Sequence, residues 1–398
     1  MPDPSFDTTD ARLAAAAWTR LTEPGDPVAG ALRARLGTAG ALDWLRHARR
    51  SGATVPPVPP GVRVGGDDIP RKEWELAVAR WLPRLDTLDI RRELAVLESL
   101  GGRLLVPGDE EWPVAVDDLA ERAPAALWVR GAGRLDSLAR TVSIVGLRAS
   151  TGYGETVAAQ MAIELAERGV VVVSGGAYGI DAAAHRGALS ADGTTWAVLA
   201  GGVDRLYPAG NTRLLEAVID TGVLLAEPPP GSVPSRWRFL DRNRLIAALG
   251  RVCVVVEAGW RSGALNTAKH AEELLRPLAA VPGPVTSMAS AGCHRLLRDH
   301  GAVCVTDAAD VLELLAPSGE DLAPDRPVQP GLLDGLDPLG ARVLDALPAR
   351  AVASLPSLAR AAGLSEREAR AGAGRLELSG HAQRSGTGWR RTPPPRRA

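Results

Sequence analysis

TVSIVGLRASTGYGETVAAQMAIELAERGVVVVSGG, residues 141–176, is the stretch that decides the fold. It opens on an apolar, β-branched run closed by Gly146 and ends on a second one, VVVVSG (170–175). Between them ETVAAQMAIELAERG carries apolar residues at three- and four-residue spacing, the period of a helix. Continuous apolar strands joined by a helix imply parallel strands covered on both faces.

Working outward, TWAVLAGG (195–202), GVLLAE (222–227), RVCVVVEAG (251–259) and PLAAVPG (277–283) repeat the strand pattern. Helical segments such as TRLLEAVIDTG and ALNTAKHAEELL fall between most of them. Residues 104–315 are therefore expected to form a doubly wound α/β domain with a mostly parallel sheet. Upstream, ARLAAAAWTRL, VAGALRARLG, GALDWLRHARR and RKEWELAVARWLPRLDTLDIRRELAVLESLGG have helical periodicity. They predict a helical N-terminal domain over 1–103, interrupted by the Pro/Gly-rich SGATVPPVPPGVRVGGDD. Downstream, the Pro- and acid-rich stretch 316–337 has a linker's composition. Beyond it, three short helices and HAQRSGTGWRR, two strands around a Gly-Thr-Gly turn, predict a winged-helix domain over 338–392. The basic, Pro-rich residues 393–398 are expected to be a disordered tail.

Composition limits the function. The 398 residues are 45% hydrophobic and 23% charged, with a net charge of −1. A neutral chain gives no global sign of a nucleic-acid or membrane partner, so any such sign must be local. Lys72 and Lys269 are the only lysines, leaving nearly all positive charge on arginine, which suits bidentate phosphate contacts and stacking. Cys253, Cys293 and Cys304 form no C-x-x-C pair, which fits a reducing cytoplasm. No signal-peptide pattern and no apolar run of membrane-spanning length occurs, and no membrane partner is expected.

In open α/β sheets, ligands bind beyond the carboxyl ends of the strands. Those ends carry GLRASTGYG (146–154), SGGAYGID (174–181), AGGVDRLYPAGN (200–211), AEPPPGS (226–232) and EAGWRSGALNTA (257–268). Each places glycine or hydroxyl residues near a helix start, where free N–H groups favour anions. Arg148 occupies the second glycine position of a dinucleotide fingerprint, and neither lysine sits in a P-loop context, so no nucleotide cofactor is expected. SVPSRWRFLDRNRLIA (232–247) adds four arginines, a tryptophan and one of two phenylalanines. Asp241 is placed to cap the helix RNRLIAALG, which puts Arg242 and Arg244 in its first turn against the helix dipole. Arg236, Trp237, Arg238 and Phe239 alternate, so an extended segment would present rings on one side and guanidinium groups on the other. Arginines beside stackable rings point to single-stranded nucleic acid.

These motifs, read in order from residue 104 to 315, resemble the bacterial DNA-processing protein A (DprA, or Smf) family. The resemblance implies a Rossmann-like domain that binds single-stranded DNA without catalysis, works as a homodimer in the cytoplasm, and loads the RecA recombinase during natural transformation and recombination. The family's G-S-R motif falls on Gly146, Leu147 and Arg148. Its basic residue three positions before phenylalanine falls on Arg236 and Phe239, its R-N-R on Arg242, Asn243 and Arg244, and its S-G-x-L-x-T-A on Ser262 to Ala268. Ser174 and Gly175, at a neighbouring strand end, complete the expected DNA-binding set with Ser262 and Gly263. Leu147 departs from the motif's serine, and Leu240-Asp241 stands where proline and a variable residue are usual, which predicts a reshaped local turn.

Two other readings use the same residues. Asp181, Asp204, Glu227 and Glu257 lie at strand ends, where carboxylates could serve a phosphoribohydrolase-like enzyme on a related fold, but that family's P-G-G-x-G-T-x-x-E motif is missing. The C-terminal helix SEREARAGAGRLELSG mixes Arg367, Arg370 and Arg375 with Glu366, Glu368 and Glu377, a poor face for duplex phosphates. Cys293, His294, His300 and Cys304 match no common zinc spacing, and no metal is expected.

Overall fold

The computed structural model describes residues 6–50, 55–135, 140–316, 336–348 and 351–392. These fall into two compact units, one ending at Ala323 and one beginning at Pro324. The expected linker lies almost wholly outside the described residues, as does the expected tail.

The first unit opens with three helices, α1 (Ala11–Leu21), α2 (Pro27–Leu36) and α3 (Thr38–Arg50). Asp10 and Asp26 cap the first two through their carboxylates, and Pro27 sits where its missing N–H costs nothing. A hairpin of β1 (Arg63–Val64) and β2 (Asp67–Asp68) follows within the Pro/Gly-rich connector. The long helical pattern after it is two helices, α4 (Arg71–Leu85) and α5 (Ile90–Ser99), because Asp89 caps a new start. Trp18, Trp74 and Trp81 meet edge to face at 5.6 and 6.2 Å, a geometry favoured by the ring quadrupoles. Their apolar core runs without a break into the sheet residues Trp128, Leu199 and Leu224. Trp128 also donates its indole N–H to the Thr19 hydroxyl at 3.0 Å. The helices of residues 1–103 are thus one layer of the first unit.

The sheet has nine strands: β3 (Arg103–Leu105), β4 (Leu127–Arg130), β5 (Thr141–Val145), β6 (Val171–Ser174), β7 (Thr195–Leu199), β8 (Val223–Ala226), β9 (Val252–Val255), β10 (Leu278–Ala280) and β11 (Val303–Cys304). Their order is β11-β10-β9-β5-β6-β7-β8-β4-β3. The run from β11 to β8 is parallel, and β4 pairs antiparallel with both β8 and β3. Intervening helices are α6 (Gly152–Ala166), α7 (Ile180–Ser190), α8 (Thr212–Thr221), α9 (Arg236–Leu249), α10 (Gly263–Glu273), α11 (Ala291–Asp299) and α12 (Ala308–Leu315). Alternation along β7 shows both faces covered: Trp196 and Val198 enter the layer of α9 and α10, while Ala197 and Leu199 enter the layer of the N-terminal helices.

The chain winds from β5 through β8 in one direction, then returns by α9 to place β9 on the other side of β5. That reversal opens a crevice beyond the carboxyl ends of β5 and β9, the position where such sheets bind ligands. The arginine-rich helix α9 is the returning element itself.

The second unit comprises α13 (Pro338–Ala346), β12 (Ala353–Ser354), α14 (Leu355–Ala362), α15 (Glu366–Leu378), β13 (Ala382–Ser385) and β14 (Gly388–Arg391). Its strands form an antiparallel sheet in the order β12-β14-β13. Val343, Leu344, Leu358, Leu376 and Trp389 are central to its own core. Ser365 and Glu368 form a reciprocal capping box at the start of α15.

Candidate nucleic-acid interface

Helix α9 begins six residues before the expected start. Ser235, not Asp241, is its N-cap, accepting a hydrogen bond from the Arg238 N–H at 3.3 Å. Pro234 ends the preceding loop, and nothing in RWRFLD breaks a helix once a serine is available to cap it. Two consequences correct the sequence reading. Arg236 and Arg238 occupy the cationic first turn, while Arg242 and Arg244 fall in the second and third. Trp237 and Phe239 cannot share a side, since residues two apart on a helix diverge. Trp237 is 73% exposed, whereas Phe239 is half-buried and lines the crevice.

Three segments converge on that crevice. Gly146 to Ala149 leave β5, Ser262 to Ala264 start α10, and Phe239, Arg242 and Asn243 come from α9. Gly146 is required by packing, because a Cβ there would lie 2.5 Å from the Ile180 side chain. Arg148 is exposed and lays its guanidinium over the Phe239 ring, 4.4 Å from the centroid. Tyr207 meets the same ring at 5.8 Å. The guanidinium stacks on Phe239 and the Tyr207 ring packs against that ring tilted by 50°, forming one cluster at the mouth. Arg148 makes no hydrogen bond or ion pair among the described residues, nor does Arg236. Ser262 caps α10 through a bond from the Ala264 N–H at 3.2 Å, and Gly263 is exposed with open space around its Cα.

Arg242 forms the floor. It donates to the Gly175 carbonyl at 2.7 Å and to the Val198 carbonyl, and its Nε reaches Asn243 Oδ1 at 3.3 Å. Burial pushes its pKa down to about 10, against the pull of the nearby Asp181 carboxylate, so it stays cationic at neutral pH. Its Nη2 donates to nothing among the described residues. Gly175 has no room for a side chain, since a Cβ would sit 2.2 Å from Arg242 Nη1. The Gly175 N–H donates to Asp181 at 3.1 Å. Burial pushes the Asp181 carboxyl up, while Arg242 and the Ala177 and Gly175 amides pull it down.

Other expected contacts serve the fold instead. Arg244 is fully buried and bonds Glu227 at 2.6 Å, with further bonds to the Arg122 and Asp241 carbonyls. Its charge is paired inside the protein, unlike that of the exposed Arg148. Ser174 is fully buried too, donating its hydroxyl to the Ile144 carbonyl at 2.6 Å. Asn243 ties α9 to α10 through Gly263 O and Asn266 Oδ1. Arg238 is held by Glu23 at 2.9 Å. Tyr207 is the contributor that sequence reasoning missed. Its signal was an aromatic ring in a loop at a strand's carboxyl end.

The strand-end carboxylates face inward. Glu257 accepts from the Thr151 N–H and hydroxyl at 2.9 and 2.5 Å, Glu227 pairs with Arg244, and Asp204 accepts from Gly231 N–H at 2.9 Å. Arg148 and Arg236 are left exposed at the outer rim, without an ion pair among the described residues. No three histidine, cysteine or acidic side chains gather as a metal site among the described residues. No helix there is long and apolar enough to cross a membrane.

His185, behind the crevice, is fully buried between two fixed partners. Thr195 Oγ1 donates to the Val172 carbonyl and so accepts from His185 Nδ1 at 2.7 Å, while Gly176 N–H donates to Nε2 at 3.3 Å. Burial, together with Arg242 and Arg186, pushes its pKa down from 6.5 to about 3. The unfolded chain thus binds more protons between those values. The stability this site contributes is complete above about pH 6.5 and drains as pH falls toward 3. Thermal melts of His185→Gln are expected to depend less on pH between 7 and 5 than those of the unsubstituted protein. Parallel curves would show that His185 is not the acid-sensitive group.

Fold and site together define a doubly wound α/β protein with a cationic, aromatic-rimmed crevice at its switch point. Residues 103–316 match the model of the DNA recombination-mediator protein A family, and the chain belongs to that family. It is 51% identical over 309 residues to a Mycobacterium tuberculosis (strain H37Rv) protein of the DprA series, covering 75% of this chain and 79% of that one. It is 34% identical over 224 residues to the DNA processing protein DprA of Bacillus subtilis, covering 56% of this chain and 75% of the relative. The crystal structure of DNA processing protein A from Streptococcus pneumoniae superposes with a TM-score of 0.60 at 29% identity, covering 77% of this chain and 97% of that one.

Proposed function

We propose that this recombination mediator binds single-stranded DNA in the crevice between β5 and β9, without catalysing a reaction on it. The observation that carries the reading is the Arg148–Phe239–Tyr207 cluster at the mouth, with the buried cation Arg242 also 5.9 Å from the Phe239 ring. A flipped or unpaired base has a ring face to lie on, and its phosphates have guanidinium groups within the same wall. A double helix offers no exposed base face for that cluster. Gly146, Arg148, Arg236, Phe239, Arg242, Ser262 and Gly263 form the proposed contact set. Gly175, Asn243, Ser174 and Arg244 hold those residues in place.

As in the family's implied role, the bound strand would be passed to the RecA recombinase by a homodimer in the cytoplasm. The second unit has the helix–strand–helix–helix–hairpin order of a winged helix. Its mixed-charge α15 suits a packing or partner role better than duplex reading.

A titration of labelled single strands against duplex competitor tests the proposal. Tight, salt-sensitive binding of the single strand is expected. Phe239→Ala should weaken it by roughly 1–3 kcal/mol with an unchanged salt slope, because stacking releases no counterions. Duplex preference, or no single-strand binding at low salt, sinks the reading.

A further inference from the structure

The outer loops of β9 and β10 carry an apolar patch that the crevice does not use. Trp260 is 51% exposed, Val285 89% and Met288 68%, with Tyr153 exposed beside them. The two loops are one surface. Ala258 N–H donates to Ala289 O at 2.8 Å, Gly292 N–H donates to Ala258 O at 2.6 Å, and a Cβ on Gly259 would lie 3.7 Å from Met288 O. Tyr153 joins from α6, donating its hydroxyl to Pro282 O at 2.7 Å. Exposed apolar surface of this kind marks an interaction site when something on the surface says what covers it.

Three features say what covers this one. The patch is continuous with the crevice, since Trp260 and Arg261 immediately precede Ser262 and Gly263, which line it. No acidic residue occurs from Leu274 to Arg298, and the only carboxylate of the other loop, Glu257, is buried on Thr151. Arg261 is exposed and makes no ion pair among the described residues. Finally, the exposed aromatic residues of the described chain are Tyr153, Tyr178, Tyr207, Trp237 and Trp260, and every one lies at the sheet's carboxyl edge. Random exposure would scatter them over the N-terminal layer, where most tryptophans are instead buried.

We propose that this patch is a second stacking platform, on which Trp260 receives bases of the strand as it leaves the crevice while Arg261 follows its phosphates. The proposal rests on the single-stranded DNA reading and extends its footprint from the Phe239 end to the β9–β10 end. Every base has a π-face, so the platform would be indifferent to sequence.

Oligothymidylates of about four and about fifteen nucleotides separate the two sites, being near the short and long ends of single-strand footprints. Trp260→Ala is expected to bind the long oligomer about tenfold less tightly and the short one as the unsubstituted protein does. Phe239→Ala should weaken both. Arg261→Ala should flatten the salt slope for the long oligomer by about 0.7, which Trp260→Ala should not. In a Trp237→Phe background, the long oligomer should quench tryptophan fluorescence and the short one should not. Unchanged long-oligomer affinity in Trp260→Ala, or equal weakening for both lengths, overturns the platform and leaves the crevice standing. Failure of the unsubstituted protein to bind either length overturns the DNA reading beneath it.

Discussion

Arg148→Ala is expected to cut affinity for single-stranded DNA by roughly thirty- to a hundredfold while leaving the melting temperature unchanged. A charge-assisted phosphate contact contributes about 1.5–3 kcal/mol, and the Phe239 ring holds the guanidinium in place for it. Nothing in the folded protein depends on this side chain. It is exposed, makes no ion pair or hydrogen bond among the described residues, and packs only on the ring face. The salt slope should flatten by about 0.7, the share of one neutralised phosphate. Arg148→Lys separates the two contributions. It keeps the charge and the slope but loses the planar group that stacks on Phe239, so its affinity should fall between the two. Fluorescence anisotropy at several salt concentrations reads both quantities. A slope unchanged in Arg148→Ala would mean that Arg148 meets no phosphate, and the mouth of the crevice would have to be reassigned.

The doubly wound core was legible because its signal is redundant. Buried parallel strands such as VVVV and VCVV read as unbroken apolar runs, and glycine punctuates each turn. The antiparallel strand β4 was not, for it is a four-residue segment inserted between β8 and an edge strand β3 that is shorter still. The N-terminal helices were readable one by one, but their sharing a core with the sheet was not. Trp128 reaching Thr19 is a contact across 109 residues, which local periodicity cannot express.

The site was legible at the level of residue type and less so in the role of each residue. Arginine density in SVPSRWRFLDRNRLIA drew attention correctly, yet the same density hides two populations. Which arginine faces out depends on where α9 starts, and that turns on the choice between Ser235 and Asp241 as cap. With the start six residues earlier, Arg236 to Leu249 are one helix whose faces are fixed together. Arg236 then stays outside, Arg242 becomes the crevice floor and Arg244 turns into the core. Glu23, the carboxylate that holds Arg238, is 215 residues away in sequence and came into view only with the fold.

Glu227 is where that hidden population has its largest effect. Arg244 bonds it at 2.6 Å, and the Gly25 N–H reaches it at 3.3 Å. Arg33 is half-buried nearby, its pKa pushed down to about 10 by burial and pulled back up by Glu227 and Asp26. One carboxylate thus pairs with the buried Arg244 guanidinium and also attracts the half-buried one of Arg33. Removing one partner of a buried pair costs about 3–5 kcal/mol, because the other charge is left without compensation. Arg244→Ala leaves Glu227 with Arg33 as a remaining counter-charge, which places it at the lower end of that range. Glu227→Ala leaves Arg244 without its ion-pair partner and Arg33 with the field of Asp26 alone, which places it at the upper end. Urea unfolding should therefore rank Glu227→Ala as the more destabilised variant. DNA affinity of the folded fraction should change far less in Arg244→Ala than in Arg148→Ala, since only the latter guanidinium is open to the strand. The opposite ranking in urea would show that Arg33 does not feel Glu227. A folded Arg244→Ala protein with affinity as low as Arg148→Ala would return Arg244 to the DNA-binding set.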